Sequence, residues 1–173
     1  IEPPAAFNAN FLRDETVKVL QAMRPLRPED VPHATARGQY RTYRDERGVR
    51  PGSTTATFAA VRLFVDNWRW QGVPFYLRSG KLLAQKATEI TVQFKDVPHK
   101  LFLADESGSP HANFITFCIQ PEEGMHLRFE TKIPGIGMRL RSVEMDFQFG
   151  EEFGHTALPE AYERLLLDAL NGD

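Results

Sequence analysis

Lys81 and Lys86 are the side chains whose type and spacing point first to chemistry. They stand at the two ends of a short loop, between an apolar strand pattern ending near Arg78 and a second strand pattern beginning near Thr88. A hairpin there would bring two ammonium groups toward one anion. Phosphate monoesters suit such a pair, because each ammonium can give charge-assisted hydrogen bonds to the phosphate oxygens. Lysines on an exposed loop are as readily plain solvated side chains, and the residues alone leave both readings open. Gln120 is a third candidate, placed where a strand should end against Pro121. Its amide could bond a sugar hydroxyl or simply satisfy a backbone group at the sheet edge.

Other chemistries find little support. His33, His99, His111, His126 and His155 do not fall at metal-ligand spacing with cysteines or carboxylates, so no metal is expected. No Ser-His-Asp set, phosphate-binding loop or Gly-x-Gly-x-x-Gly turn after a strand is present. Arg37, Arg41, Arg44, Arg47 and Arg50, with Tyr40 and Tyr43 among them, superficially suggest a nucleic-acid arm. Asp45 and Glu46 lower that segment's charge from +5 to +3, and no recognition module surrounds it. It reads as a solvated connector.

The elements that must position these residues follow from periodicity. Arg13 to Met23 is predicted as a helix with Asn10 or Asp14 as cap and with Pro25 and Pro28 ending it. Residues 33–53 read as a polar connector without sustained period. From Thr54 the period shifts toward two: Thr55 to Val65 forms a strand with both faces fairly apolar. Asn67 to Lys81 follows, with Val73 to Leu77 as a strand entered at Pro74, Ser79-Gly80 as a turn, and Trp68, Trp70, Phe75 and Leu77 as packing residues. Ile90, Val92 and Phe94 alternate with polar residues, as do Ile115, Phe117 and Ile119. After a turn at Pro121-Glu122-Glu123-Gly124, Leu127 and Phe129 continue the pattern, and Val143, Met145, Phe147 and Phe149 repeat it. Pro159 opens a terminal helix with Tyr162, Leu165, Leu166, Ala169 and Leu170 on one face, and Asn171-Gly172 stops it. The expected class is α+β, a mainly antiparallel open sheet with helices on one face. A lead-in at 1–32, a connector at 33–53 and a sheet with terminal helix at 54–173 would make one domain.

Composition sets the outer bounds. A chain of 173 residues can bury roughly 70% of the surface that its unfolded form exposes. Thirteen phenylalanines and 42% apolar residues supply core material. The single cysteine, Cys118, cannot form an internal disulfide and suits a reducing compartment, so the cytoplasm is expected. No apolar run approaches the ~20 residues of a membrane span, and the first residues lack a signal-peptide pattern. A net charge of −2 creates no field that would gather nucleic acid. Beginning at Ile1, the chain reads as part of a longer protein.

The run Asn67-Trp68-Arg69-Trp70-Gln71-Gly72-Val73-Pro74-Phe75, followed by Arg78-Ser79-Gly80-Lys81, resembles the C-terminal, substrate-binding domain of the glucose-6-phosphate dehydrogenase family. Matching segments continue in order along the chain. They include Arg13-Asp14-Glu15, Arg24-Pro25-Leu26, Arg37-Gly38-Gln39-Tyr40, Phe94-Lys95 with Val97-Pro98, and Ile119-Gln120-Pro121-Glu122. The last is Leu158-Pro159-Glu160-Ala161-Tyr162-Glu163-Arg164-Leu165-Leu166-Leu167-Asp168.

The resemblance implies a parent enzyme that oxidises D-glucose 6-phosphate to its lactone with NADP, the entry step of the oxidative pentose phosphate pathway. It implies that Lys81 and Lys86 help hold the sugar phosphate, with Gln120 close to substrate. Tyr162 and Arg164 are expected to pack and pair rather than touch substrate. Arg78 resembles an arginine that binds a second, structural NADP in some members. Ala87, Thr91 and Cys118 stand where those members carry basic residues, so Arg78 reads as a sheet-edge ion-pair residue. The catalytic histidine, its aspartate and the dinucleotide fold belong to an N-terminal domain that these residues do not include. The chain alone is thus expected to be inactive, to partner that domain, and to join a homodimer or tetramer through its sheet. A free-standing sugar-phosphate-binding or interaction module derived from the domain is the alternative.

Overall fold

The structure is a computed structural model that describes residues 2–96, 98, 112–135, 137, 139–154 and 161–172. The chain divides into two compact units, Ile1–Ala84 and Gln85–Asp173. The expected α+β class with antiparallel pairing is present, and the described strands form a three-stranded and a four-stranded sheet.

In the first unit, helix α1 spans Ala9–Gln21. The Asn8 side chain accepts a hydrogen bond from the Phe11 N–H at 3.1 Å, so Asn8 is the cap in place of Asn10 or Asp14. The helix also ends before Met23, because Met23 bridges Val65 and the Arg24 N–H donates to the Phe64 carbonyl at 2.9 Å. A short helix α2 (Val31–Ala34) leads into strand β1 (Thr35–Gly38). The segment expected to be a plain connector therefore contributes a strand. β2 (Phe58–Phe64) pairs with β1 on one side and with β3 (Pro74–Gly80) on the other. Pro74 enters an edge strand, where its missing N–H costs nothing to the ladder. Among the described residues Val65, 6% exposed, is the buried hydrophobic residue.

The second unit carries β4 (Thr88–Gln93), β5 (Phe114–Gln120), β6 (Gly124–Lys132) and β7 (Leu140–Gln148) in sequential order. Register places Ile90, Phe117, Met125 and Phe147 in one row and Val92, Ile115, Leu127 and Met145 in the next, all on one face. The opposite face carries Thr91, Thr116, His126 and Asp146 in a row. Thr91 and Thr116 share a hydroxyl hydrogen bond of 2.9 Å, and His126 Nδ1 meets Asp146 Oδ1. The period-two reading of these strands therefore holds.

Phe149 departs from its expected strand. It opens a short helix α3 (Phe149–Phe153), whose Phe149 and Phe153 rings gather around Phe147 at centroid distances of 5.0 and 6.5 Å. Helix α4 spans Ala161–Asn171, with Tyr162, Leu165, Leu166 and Leu170 exposed. Val97, His99, His111, His155, Leu158, Pro159 and Glu160, which the sequence reading used, lie outside the described residues, as does the side chain of Arg164.

Candidate functional site

The run from Asn67 to Lys81 is built as a turn followed by an edge strand. The Asn67 side chain accepts the Trp70 N–H at 2.9 Å, and its carbonyl accepts the Gln71 N–H at 3.0 Å. Asparagine does this readily because its short amide mimics the next turn of backbone. Gly72 then takes φ +77, which favours glycine, and Trp70 closes on Phe75 edge-to-face at 5.4 Å. Trp70 and Phe75 thus pack as expected. Trp68 and Leu77 do not: the first is fully exposed and the second about half exposed, so neither serves as packing in this chain.

Two bidentate ion pairs brace the ends of this turn. Arg24 grips Asp66 at 2.9 and 2.7 Å, while stacking 5.1 Å over the Phe64 ring. Arg69 grips Glu2 with two contacts of 2.6 Å. The hydrogen bond from each guanidinium holds its carboxyl, Asp66 or Glu2, below the usual carboxylate range, and the guanidinium proton is held more tightly in return.

β3 runs through Ser79 and Gly80, which pair with Ala59 and Phe58. The expected turn is therefore strand, and the chain leaves the ladder one residue later. A Cβ at Gly80 would lie 3.0 Å from the Phe58 ring and 3.3 Å from Leu83 Cδ2, so those side chains would have to give way to any larger residue. Lys81 is exposed, and its N–H donates to the Thr57 carbonyl at 2.8 Å. Leu82 follows at φ +50, a left-handed conformation that disfavours its branched side chain. Lys81 thus sits at a strand end, as its sequence position implied.

The expected hairpin between Lys81 and Lys86 is not formed. β3 takes β2 as its ladder partner and β4 takes β5, so the residues between the two lysines connect different sheets. Lys86 falls instead just before the end of the β4–β5 ladder. Thr88, two residues after Lys86, pairs with Gln120 beside a bulge in β4, which puts Lys86 and Gln120 at one end of the β4–β5 ladder. Gln120 ends β5 as expected, is exposed, and precedes Pro121 through a cis peptide. Arg78 lies on edge strand β3 opposite Ala60. Tyr162 is largely exposed on α4, where packing was expected.

Two residues to which the sequence reading gave no role of their own hold the connector. The Gln39 amide donates to the Ser53 and Thr55 carbonyls at 2.8 and 2.9 Å, and Thr57 Oγ1 accepts the Tyr40 N–H at 3.0 Å. Desolvation, then Glu46 nearby, raises the Tyr40 hydroxyl. Neither partner pair has a short-range sequence signal. Among the described residues no group of three or more His, Cys, Asp or Glu side chains gathers as a metal would require. An open depression of about 430 Å³ along α1, lined by Ala5, Phe11, Asp14, Glu15, Val17 and Lys18, shares none of the candidate residues. No described helix is long and apolar enough to cross a membrane.

Comparison with known proteins gives this arrangement a context. The family described as the C-terminal domain of glucose-6-phosphate dehydrogenase matches residues 1–173. A glucose-6-phosphate 1-dehydrogenase from Aggregatibacter actinomycetemcomitans is 46% identical over 183 aligned residues, and one from Treponema pallidum is 42% identical over 184. Each alignment covers the whole chain and 36% of the relative, so the chain spans little more than a third of their length. Among solved structures, a glucose-6-phosphate dehydrogenase in complex with its substrate glucose-6-phosphate superposes with TM-score 0.84 at 35% identity, over all of this chain and 36% of that one. The enzyme from Mycobacterium avium gives 0.78 at 38% identity, over 99% and 35%.

Proposed function

Because the chain belongs to the family of C-terminal domains of glucose-6-phosphate dehydrogenase, we propose that it forms the sugar-phosphate side of an NADP-dependent active site. The parent enzyme oxidises D-glucose 6-phosphate to 6-phospho-D-glucono-1,5-lactone. The observation that carries this reading is the end-to-end likeness to a relative whose structure holds glucose 6-phosphate.

In this reading Lys81 and Lys86 give charge-assisted hydrogen bonds to the phosphate, and Gln120 bonds a sugar hydroxyl. Oxidation at the anomeric carbon also needs a base for the hydroxyl proton and a nicotinamide to take the hydride. The described strands pair antiparallel and offer no parallel strand-turn-helix for a dinucleotide. In line with the family resemblance, NADP and the base are assigned to the part of the parent beyond this chain, and Arg78 is given no coenzyme contact. The parent's N-terminal domain, a homodimer or tetramer joined through the sheet, and a cytoplasmic location complete the proposal. The exposed apolar rows of the four-stranded sheet favour the association.

The test compares the full-length protein with the isolated 173-residue chain. The full-length protein is expected to reduce NADP when given glucose 6-phosphate, and the chain alone to leave it oxidised. Reduction by the chain alone would overturn the division of labour. A full-length protein that binds the sugar phosphate without reducing any nicotinamide coenzyme would favour a non-catalytic binding module.

A further inference from the structure

Thr57 stands one residue before β2, just past the ends of both ladders in the first unit. Gly38 pairs with Phe58 on one side and Gly80 pairs with Phe58 on the other. Thr57 extends both contacts: its N–H donates to the Gly38 carbonyl at 2.9 Å, and its carbonyl accepts the Lys81 N–H at 2.8 Å. Its hydroxyl oxygen accepts the Tyr40 N–H at 3.0 Å in a half-buried setting. One residue therefore ties the exit of β1, the connector and the first residue after β3.

We propose that Thr57 is a positioning residue that fixes the backbone from which Lys81 reaches the substrate phosphate, an inference that rests on the sugar-phosphate reading above. A lysine carries its ammonium on a long, flexible four-carbon stem, so an anchored Cα restricts where that ammonium can go. The left-handed φ of Leu82 fits this role, since strained backbone persists where the surroundings over-determine it. Leu83, folded into the space left by Gly80, is part of those surroundings. Removing the Thr57 hydroxyl would leave the Tyr40 N–H without its acceptor and loosen the backbone that receives Lys81.

The experiment uses the full-length protein with Thr57→Val, Thr57→Ala, Thr57→Ser, Lys81→Ala and the double variant Thr57→Val/Lys81→Ala. Melting temperature, kcat and KM are measured with glucose 6-phosphate, with NADP, and with unphosphorylated D-glucose. Thr57→Val is expected to raise KM for glucose 6-phosphate roughly 5- to 20-fold, as displacement of a binding group does. Its kcat, its KM for NADP and its kcat/KM for D-glucose should stay within about twofold, a difference of under about 0.5 kcal/mol. Thr57→Ser should restore the wild-type KM, and Thr57→Val should add nothing to Lys81→Ala. Thr57→Ala carries the same expectation, so poor folding of the valine variant does not decide the outcome. Equal losses with D-glucose and glucose 6-phosphate, failure of serine to rescue, or additive losses in the double variant would overturn the role of Thr57. If Lys81→Ala leaves KM unchanged, the assignment of Lys81 itself falls, and the inference falls with it.

Discussion

The two units reach order by different means. In Ile1–Ala84 side chains far apart in sequence clamp the backbone: Arg24 to Asp66, Arg69 to Glu2, Gln39 to the carbonyls of Ser53 and Thr55. In Gln85–Asp173 four strands follow one another in order, and order comes from the ladder itself and the side-chain rows across it. The second sheet pairs its backbone well yet leaves its apolar rows open, with Ile90 and Met145 each 58% exposed. Lys81 lies in the clamped unit, Lys86 and Gln120 in the laddered one. The backbone at Lys81 thus depends on polar clamps, and that at Lys86 and Gln120 on strand register.

Substitutions at two glycines should separate these regimes most strongly. A Cβ on Gly124 would sit 2.6 Å from the Phe147 carbonyl oxygen, where backbone cannot easily yield, whereas a Cβ on Gly38 meets nothing within 4 Å. Gly124→Ala is expected to cost about 2–3 kcal/mol, read as lost amide protection across β6 and β7. Gly38→Ala should stay within about 0.5 kcal/mol. Equal costs at the two positions would break the contrast between a register-dependent sheet and a clamped one.

Acid should act in the opposite sense, with a smaller effect and on the first unit. The carboxyls of Asp66 and Glu2 are held below their ordinary values by their arginines. A group whose pKa is lowered by folding stabilises the fold above its unfolded value, and that contribution is lost as pH falls through the lowered folded value. Amides of Arg24 and Asp66, bonded to Phe64 and Ala22, should therefore lose protection below about pH 4, the ordinary carboxylate range. Asp66→Asn should remove that pH dependence. Because both pairs are solvent-exposed, the effect is modest, and an unchanged acid profile in the variant would argue against the clamp.

How much of this was legible in the sequence depended on whether the cause was local. The alternation at Ile115, Phe117 and Ile119, the Pro121 to Gly124 turn and the alternation at Val143, Met145 and Phe147 each carried their own evidence, and β5 to β7 follow it. β1 did not, because Thr35-Ala36-Arg37-Gly38 has little apolar period and becomes a strand only through its pairing with β2. Ser79-Gly80 looked like a turn for the converse reason: its turn composition is overridden by pairing with Ala59 and Phe58. The same non-local choice of partner undid the hairpin between the lysines. In the site, Lys81 was placed at a strand end by its neighbours, while Thr57 gave no sign of its role, since its partners lie 17 residues back at Tyr40 and beyond β3 at Lys81.

The most direct measurement is equilibrium binding of glucose 6-phosphate and of NADP to the full-length protein carrying Lys81→Ala. Loss of a charge-assisted contact to phosphate should weaken the sugar phosphate roughly 10- to 100-fold and change NADP affinity by less than about twofold. Equal weakening of both ligands, or no weakening of the sugar phosphate, would contradict the assignment of Lys81 to the substrate phosphate.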